Sequence, residues 1–241
     1  METLKDIISD IRVFLYGGIR SLPLTIAGTM LLLGAFTANY AMIFFLVGYV
    51  ILTPTVAFLL NLGGGLLFEY IPYNPFKVQT SDTCNVVIPY LTTKNMTESK
   101  SATVISSEWL AMISFFFSYL IANAVELYSL TANDSSITVD GSAAPDITSK
   151  ITNRTSQAMV ALCTTIVVAC IIIGYRYMTQ CETLLGTVVT MGIFGGIGYG
   201  WYKLLSTIGQ NRLSDMFGIA NRLLSPSAMT NAPIACVPIA I

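Results

Sequence analysis

The 241-residue chain is 54% hydrophobic and only 10% charged, with a formal net charge of −1, whereas an ordinary soluble domain carries about 25% charged residues. So few charges cannot solvate a soluble surface, and the apolar residues come in long runs, which predicts a multi-pass membrane protein. The near-neutral charge and the lack of any Lys/Arg block argue against a nucleic-acid partner. With no histidine, Ser-His and Cys-His nucleophiles, His-ligated zinc and histidine-held haem are all excluded.

In chain order, residues 1–18 come first. Leu4, Ile7, Ile8, Ile11, Phe14 and Leu15 recur at three- and four-residue intervals, with Glu2, Lys5, Asp6, Asp10 and Arg12 on other faces. That pattern predicts an amphipathic helix ended by Gly17-Gly18, suited either to a membrane surface or to a neighbouring subunit. The mixed charges do not fit a cleavable signal peptide.

Spanning a hydrocarbon core of about 30 Å takes about 20 apolar helical residues. Five stretches approach this: 22–37, 41–62, 109–130, 157–177 and 184–202. Pro23 suits an opening turn of the first. Only "ANY", residues 38–40, separates the first two, so they should form a tight antiparallel hairpin. Pro54 should kink the second, with Thr53 and Thr55 placed to satisfy the carbonyls it releases, and "NLGGG" beyond it reads as the helix end. The polar loops 71–107 and 131–156 each carry a short strand signal, "NVVIPYL" and "SSITVDGSAAPD". The expected fold is therefore an all-α membrane protein: about five transmembrane helices, amphipathic helices at both termini and short strand-bearing loops.

Three glycosylation acceptors, at Asn95, Asn133 and Asn153, fall in loops on opposite sides of such a bundle, so not all can be used. The five cysteines show no CxxC spacing. Cys163 and Cys170 read as small packing residues, and Cys84 and Cys181 lie in loops on one side, which would allow a disulfide. Seven basic residues on the N-terminal side against five on the other favour a cytoplasmic N-terminus.

Residues 203–241 begin as an amphipathic segment, with Leu205, Ile208, Met216, Ile219 and Leu223 in one stripe. Pro226 ends it, and the uncharged tail 225–241 is too proline-broken to span and too apolar for water. Pro226, Pro233, Ile234, Val237, Pro238 and Ile241 are its candidate partner-binding residues.

"GGIGYGWYK", 195–203, resembles a potassium-channel filter over five residues but lacks the pore helix before it and the full membrane helix after it. The competing reading takes Gly192, Gly196 and Gly200, four apart on one face, as a helix-packing surface. Its partner would be a helix of the same chain or of another copy. Trp201 and Tyr202 would then sit at the bilayer boundary, with Lys203 reaching the headgroups.

Asn123 and Glu126 are the polar intramembrane candidates, with Glu126 close enough to the helix end to be an interfacial carboxylate. Glu108, behind Ser106 and Ser107, fits a helix N-terminus, and Glu69, Arg176 and Glu182 fall at helix ends. The sequence holds no phosphate-binding glycine loop, GxSxG elbow or acidic metal pair, so no catalytic residue, cofactor site or metal site is assigned and the chain reads as a non-enzyme.

"SDMFGIANRLLSPSAMTNAPIACVPIAI", 214–241, and "SEWLAMISFFFSYLIANAVELY", 107–128, resemble small multi-pass membrane proteins of large icosahedral nucleocytoplasmic DNA viruses. The resemblance implies a place in the virion inner membrane and a minor capsid role, with the lipid bilayer, capsid or other membrane proteins and other copies of the chain as partners. The expected function is structural: anchoring the inner membrane to the capsid through the loops and the tail. The alternative is a small transporter or ion-channel subunit using Pro54 as a hinge and Glu126 with Asn123 as a polar site. A third reading is a membrane-remodelling factor working through its two amphipathic helices.

Overall fold

A computed structural model describes the backbone of residues 2–68, 77–79, 101–103, 105–129, 145–178, 182–209, 213, 214 and 216, and the side chains of most of these from residue 17 onward. The first helix, α1, runs Glu2–Phe36 without a break. Gly17-Gly18 does not end it, because glycine weakens a helix by about 1 kcal/mol without removing a backbone hydrogen bond. Pro23 also lies inside α1 rather than at its start. Proline cannot donate to the carbonyl four residues earlier, and that carbonyl, of Ile19, accepts instead from Trp109 Nε1 at 2.9 Å. The Pro23 carbonyl in turn accepts from the Tyr49 hydroxyl at 3.2 Å.

α1 closes in a Schellman-type turn. The Asn39 N–H donates to Gly34 O at 3.0 Å, and Ala38 takes the left-handed conformation, φ 51. Asn39 also opens the next helix. Its side-chain oxygen accepts from the Ala41 N–H at 3.0 Å, and its amide donates to Met216 O at 3.1 Å. The helices on either side pack together as the expected hairpin.

The second span is built from α2 (Tyr40–Leu46), a π-helical turn (Val47–Leu52) and α3 (Thr53–Phe68). The π turn, one residue wider per hydrogen-bonded ring, sits directly before Pro54 and absorbs the missing donor. Thr53 Oγ1 donates back to Gly48 O at 3.0 Å and Thr55 Oγ1 to Ile51 O at 2.6 Å. Gly63, Gly64 and Gly65 do not terminate this helix, which continues to Phe68. Gly64 instead gives room: a Cβ there would collide with Ile105 Cδ1.

Three-residue strands β1 (Lys77–Gln79) and β2 (Ser101–Thr103) pair antiparallel. The strand expected at 85–91, and that at the start of 135–146, lie outside the described residues. α4 (Glu108–Ser129) starts from a Ser107 cap, whose hydroxyl accepts from the Leu110 N–H at 3.2 Å. Glu108 in its first turn complements the helix dipole. α5 (Pro145–Met178) begins well before the expected 157, so residues 145–156 are helix rather than loop; Pro145 is pre-set for a first helical position. α6 (Leu184–Gly209) is capped by Thr183 Oγ1, which accepts from the Gly186 N–H at 3.0 Å. It runs through residue 202 into the supposed amphipathic segment, carrying Leu205 into the core.

Among the described residues, five stretches are long and apolar enough to cross a membrane: Gly17–Phe36, Tyr40–Gly64, Glu108–Glu126, Ser156–Met178 and Leu184–Ile208. Ile19, Asn61, Trp109 and Arg176 meet at one end of the bundle, and Asn39, Glu126, Lys203 and Met216 gather at the other. α4 lies at the centre, touching α1, α3, α5 and α6. Phe45, Tyr49, Phe115, Tyr119 and Tyr202 interlock around it, with ring centroids 5.0–6.5 Å apart for the pairs in contact. The outer faces expose Leu32, Phe36, Ile51, Val160, Ile171 and Val188. So continuous an apolar exterior is compatible with a multi-pass membrane protein.

Candidate functional site

Polar groups collect at the two ends of the bundle. At the α4 C-terminal end, Lys203 Nζ donates to Glu126 Oε2 at 2.6 Å, and Ser206 Oγ donates to Glu126 Oε1 at 3.0 Å. The ammonium expected to reach free into the headgroups is thus tied back to α4, although its side chain stays 49% exposed against 18% for Glu126. An ion pair this open stabilises by about 1 kcal/mol or less. A cleft of about 190 Å³ opens beside it between α4 and α6, lined by Ser118, Ile121, Ala122, Val125, Ser129 and Tyr199 together with the ion pair itself. Asn123 does not line this cleft. It is buried, one turn back along α4.

At the opposite end, Arg176 of α5 meets Glu182 just before α6, Nη2 to Oε1 at 3.4 Å, with side chains 5% and 6% exposed. The guanidinium lies 4.6 Å from the centre of the Trp109 ring, whose own N–H holds Ile19. One indole therefore joins α1, α4 and α5. Burial pushes the Glu182 carboxyl above its usual range, opposed by a hydrogen bond from Ser107 and by the charge of Arg176.

Asn61 of α3 completes this end. Its oxygen accepts from the Ile105 and Ser106 N–H groups at 3.1 and 3.0 Å, and its amide donates to Ser106 O at 2.7 Å. The sequence reading passed over Asn61 as part of a helix terminus. The available signal was an amide inside an apolar run, a group with both donors and acceptors to satisfy. The Arg176–Glu182 pairing was missed as well, since both residues were placed only at helix ends.

A Cβ on Gly192, Gly196 or Gly200 would meet no described atom within 4 Å, so among the described residues this register packs on no helix of the same chain, and of the two partners the spacing allows it stands open to another copy. α6 packs on α4 through the neighbouring register instead, with Thr190, Phe194, Gly198 and Tyr202 buried. A Cβ on Gly198 would lie 2.6 Å from Phe115 O and 3.1 Å from Phe115 Cα. Beside it, Ser118 Oγ donates to Gly195 O at 2.6 Å. Across the same seam, a Cβ on Gly48 would lie 2.7 Å from Trp201 Nε1, which donates to Phe44 O at 3.2 Å.

Two aromatic and cysteine expectations change too. Tyr202 is a core residue, 3% exposed and edge-on to Tyr119, rather than a boundary anchor. Cys163 and Cys170 face outward from α5 instead of packing. Cys84, Cys181, Glu69, Asn95, Asn133 and the tail residues Pro226, Pro233, Ile234, Val237, Pro238 and Ile241 lie outside the described residues. Among the described residues no cluster of three or more Cys, Asp or Glu side chains is placed to hold a metal ion. Comparison with protein-family models, with curated proteins and with solved structures finds no match to this chain.

Proposed function

We propose that the chain is a structural membrane protein, a five-span anchor that ties a bilayer to a protein layer, and that in a virion it joins the inner membrane to the capsid. The observation that carries this reading is how the centre of the bundle is filled. Phe45, Tyr49, Phe115, Tyr119 and Tyr202 interlock where a transport pathway would run, and interiors packed at such density resist rearrangement. Among the described residues, the Glu126–Lys203 and Arg176–Glu182 pairs lie toward the ends of the bundle and tie its elements to one another. The viral setting rests on the resemblance carried by 107–128 and 214–241.

The tail 225–241 is the part assigned to docking. Deleting it should leave membrane insertion unchanged, measured by carbonate resistance, and abolish incorporation into particles. Normal assembly without the tail would overturn the proposal.

A further inference from the structure

The cleft beside Glu126 joins three features that seldom occur together by accident of packing. On the membrane-spanning reading it lies toward the ends of two spans, its lining is mostly apolar with an ion pair at its edge, and its charges balance. Lys203 lies five residues before the end of the span Leu184–Ile208, roughly 7 Å along the helix, and Glu126 is the last residue of its own span. From Glu126 the lining follows α4 back to Ser118, about 12 Å along the helix at 1.5 Å per residue. Ile121, Ala122 and the half-exposed Val125 line that length.

The polar end has unused capacity of both signs. An ammonium carries three donors, and Lys203 spends one on Glu126. Tyr199, with a side chain more than half exposed, lines the same cleft. A carboxylate offers about four lone-pair sites, and Lys203 and Ser206 account for two at Glu126. Ser129, also in the lining, donates its hydroxyl proton to Glu126 O and keeps its own lone pairs to accept with. An ion pair of zero net charge has no preference for a simple anion, but its two poles match a zwitterion.

We propose that this cleft binds a phospholipid with a primary-ammonium headgroup, its phosphate held by Lys203 and Tyr199, its ammonium by Glu126 and Ser129, and one acyl chain along Ile121, Ala122 and Val125. The site rests on the membrane-spanning reading and not on the capsid role. A quaternary ammonium lacks the N–H donors that Glu126 and Ser129 accept, so phosphatidylcholine fits less well. Phosphatidylglycerol brings an anion with no counterpart for the carboxylate.

The test uses the full chain reconstituted into vesicles of equal parts phosphatidylethanolamine, phosphatidylcholine and phosphatidylglycerol, followed by native mass spectrometry of the lipid that stays bound. The expected result is phosphatidylethanolamine retained about fivefold over either competitor. Glu126→Gln should bring it level with phosphatidylcholine, and Val125→Trp should abolish retention while leaving the ion pair in place. Equal retention of all three lipids, a preference for phosphatidylglycerol, or a Val125→Trp variant that retains lipid normally would each overturn the site. Extraction of the protein by carbonate would instead overturn the membrane reading on which the site depends.

Discussion

Gly198→Ala tests how tightly α4 and α6 are joined. The added methyl would stand 2.6 Å from Phe115 O, whereas ordinary contact begins at 3.4 Å. The obstacle is backbone, with Phe115 Cα and C at 3.1 and 3.2 Å behind it, so no rotamer change relieves the clash and the helices must part by about 0.8 Å. A gap of about 0.5–1 Å already forfeits a quarter to a half of each dispersion contact across it. Overpacked cores lose about 1–3 kcal/mol, against which alanine returns under about 1 kcal/mol of helix propensity. The control is Gly196→Ala on the open register, which meets nothing and should be neutral or slightly stabilising. Unfolding in mixed micelles with rising dodecyl sulfate, followed by fluorescence of Trp109 and Trp201, reads both variants. If Gly198→Ala proves as stable as Gly196→Ala, the assignment of the α4–α6 seam is wrong.

Trp109→Phe should cost about 1–3 kcal/mol, because it strips the donor from the buried Ile19 carbonyl. In a Pro23→Ala background the backbone supplies an N–H to that carbonyl, and the same substitution should cost about 1 kcal/mol less; additive effects in the double-mutant cycle would sink the pairing of Pro23 with Trp109. Glu182 predicts a pH dependence. Its folded carboxyl binds a proton more tightly than the unfolded one, so between the usual 4.5 and the raised folded value the native state holds the extra proton. Stability should therefore increase as the pH is lowered through that window and fall as it is raised. Glu182→Gln should flatten the profile there, and an unchanged profile would refute the cause.

The spans were legible because crossing an apolar layer is a property of local composition summed over about 20 residues. The α4 start at Ser107 and Glu108 was legible for the same reason, being set by side chains that bond within a few residues of themselves, whereas the Asn39 and Thr183 caps were passed over. The glycines were not legible. Gly17-Gly18 and Gly63-Gly64-Gly65 read as stops because glycine exposes helical backbone to water, but the helices run through them, as a membrane-spanning segment would, where no water competes for the carbonyls. "GGIGYG" carries two glycine registers, and nothing within α6 says which one meets α4. That choice is made by Phe115 and Ser118, some 80 residues earlier in the chain. Arg176 and Glu182 escaped for a related reason, since they lie six residues apart, one near the end of α5 and the other just before α6, and no helical or strand period links them.

The central position of α4 bears on how the chain is made. The α4 span has 67% of its window buried, against 6% for α5, the most apolar of the five. If the five stretches span a bilayer, α5 is suited to face lipid by itself, while α4 would carry Ser114, Ser118, Asn123 and Glu126 into it before the helices that cover them have been synthesised. Lys203 and Gly195, which engage Glu126 and Ser118, arrive about 77 residues later. At roughly 5–20 residues per second, α4 waits several seconds without them. A chain stopped after residue 130 should accordingly leave α4 only partly inserted, as protease protection of a reporter fused there would show, and complete insertion of that fragment would refute the dependence. On the spanning reading, the third span would depend on the fifth, made later, for the cover of its polar side chains.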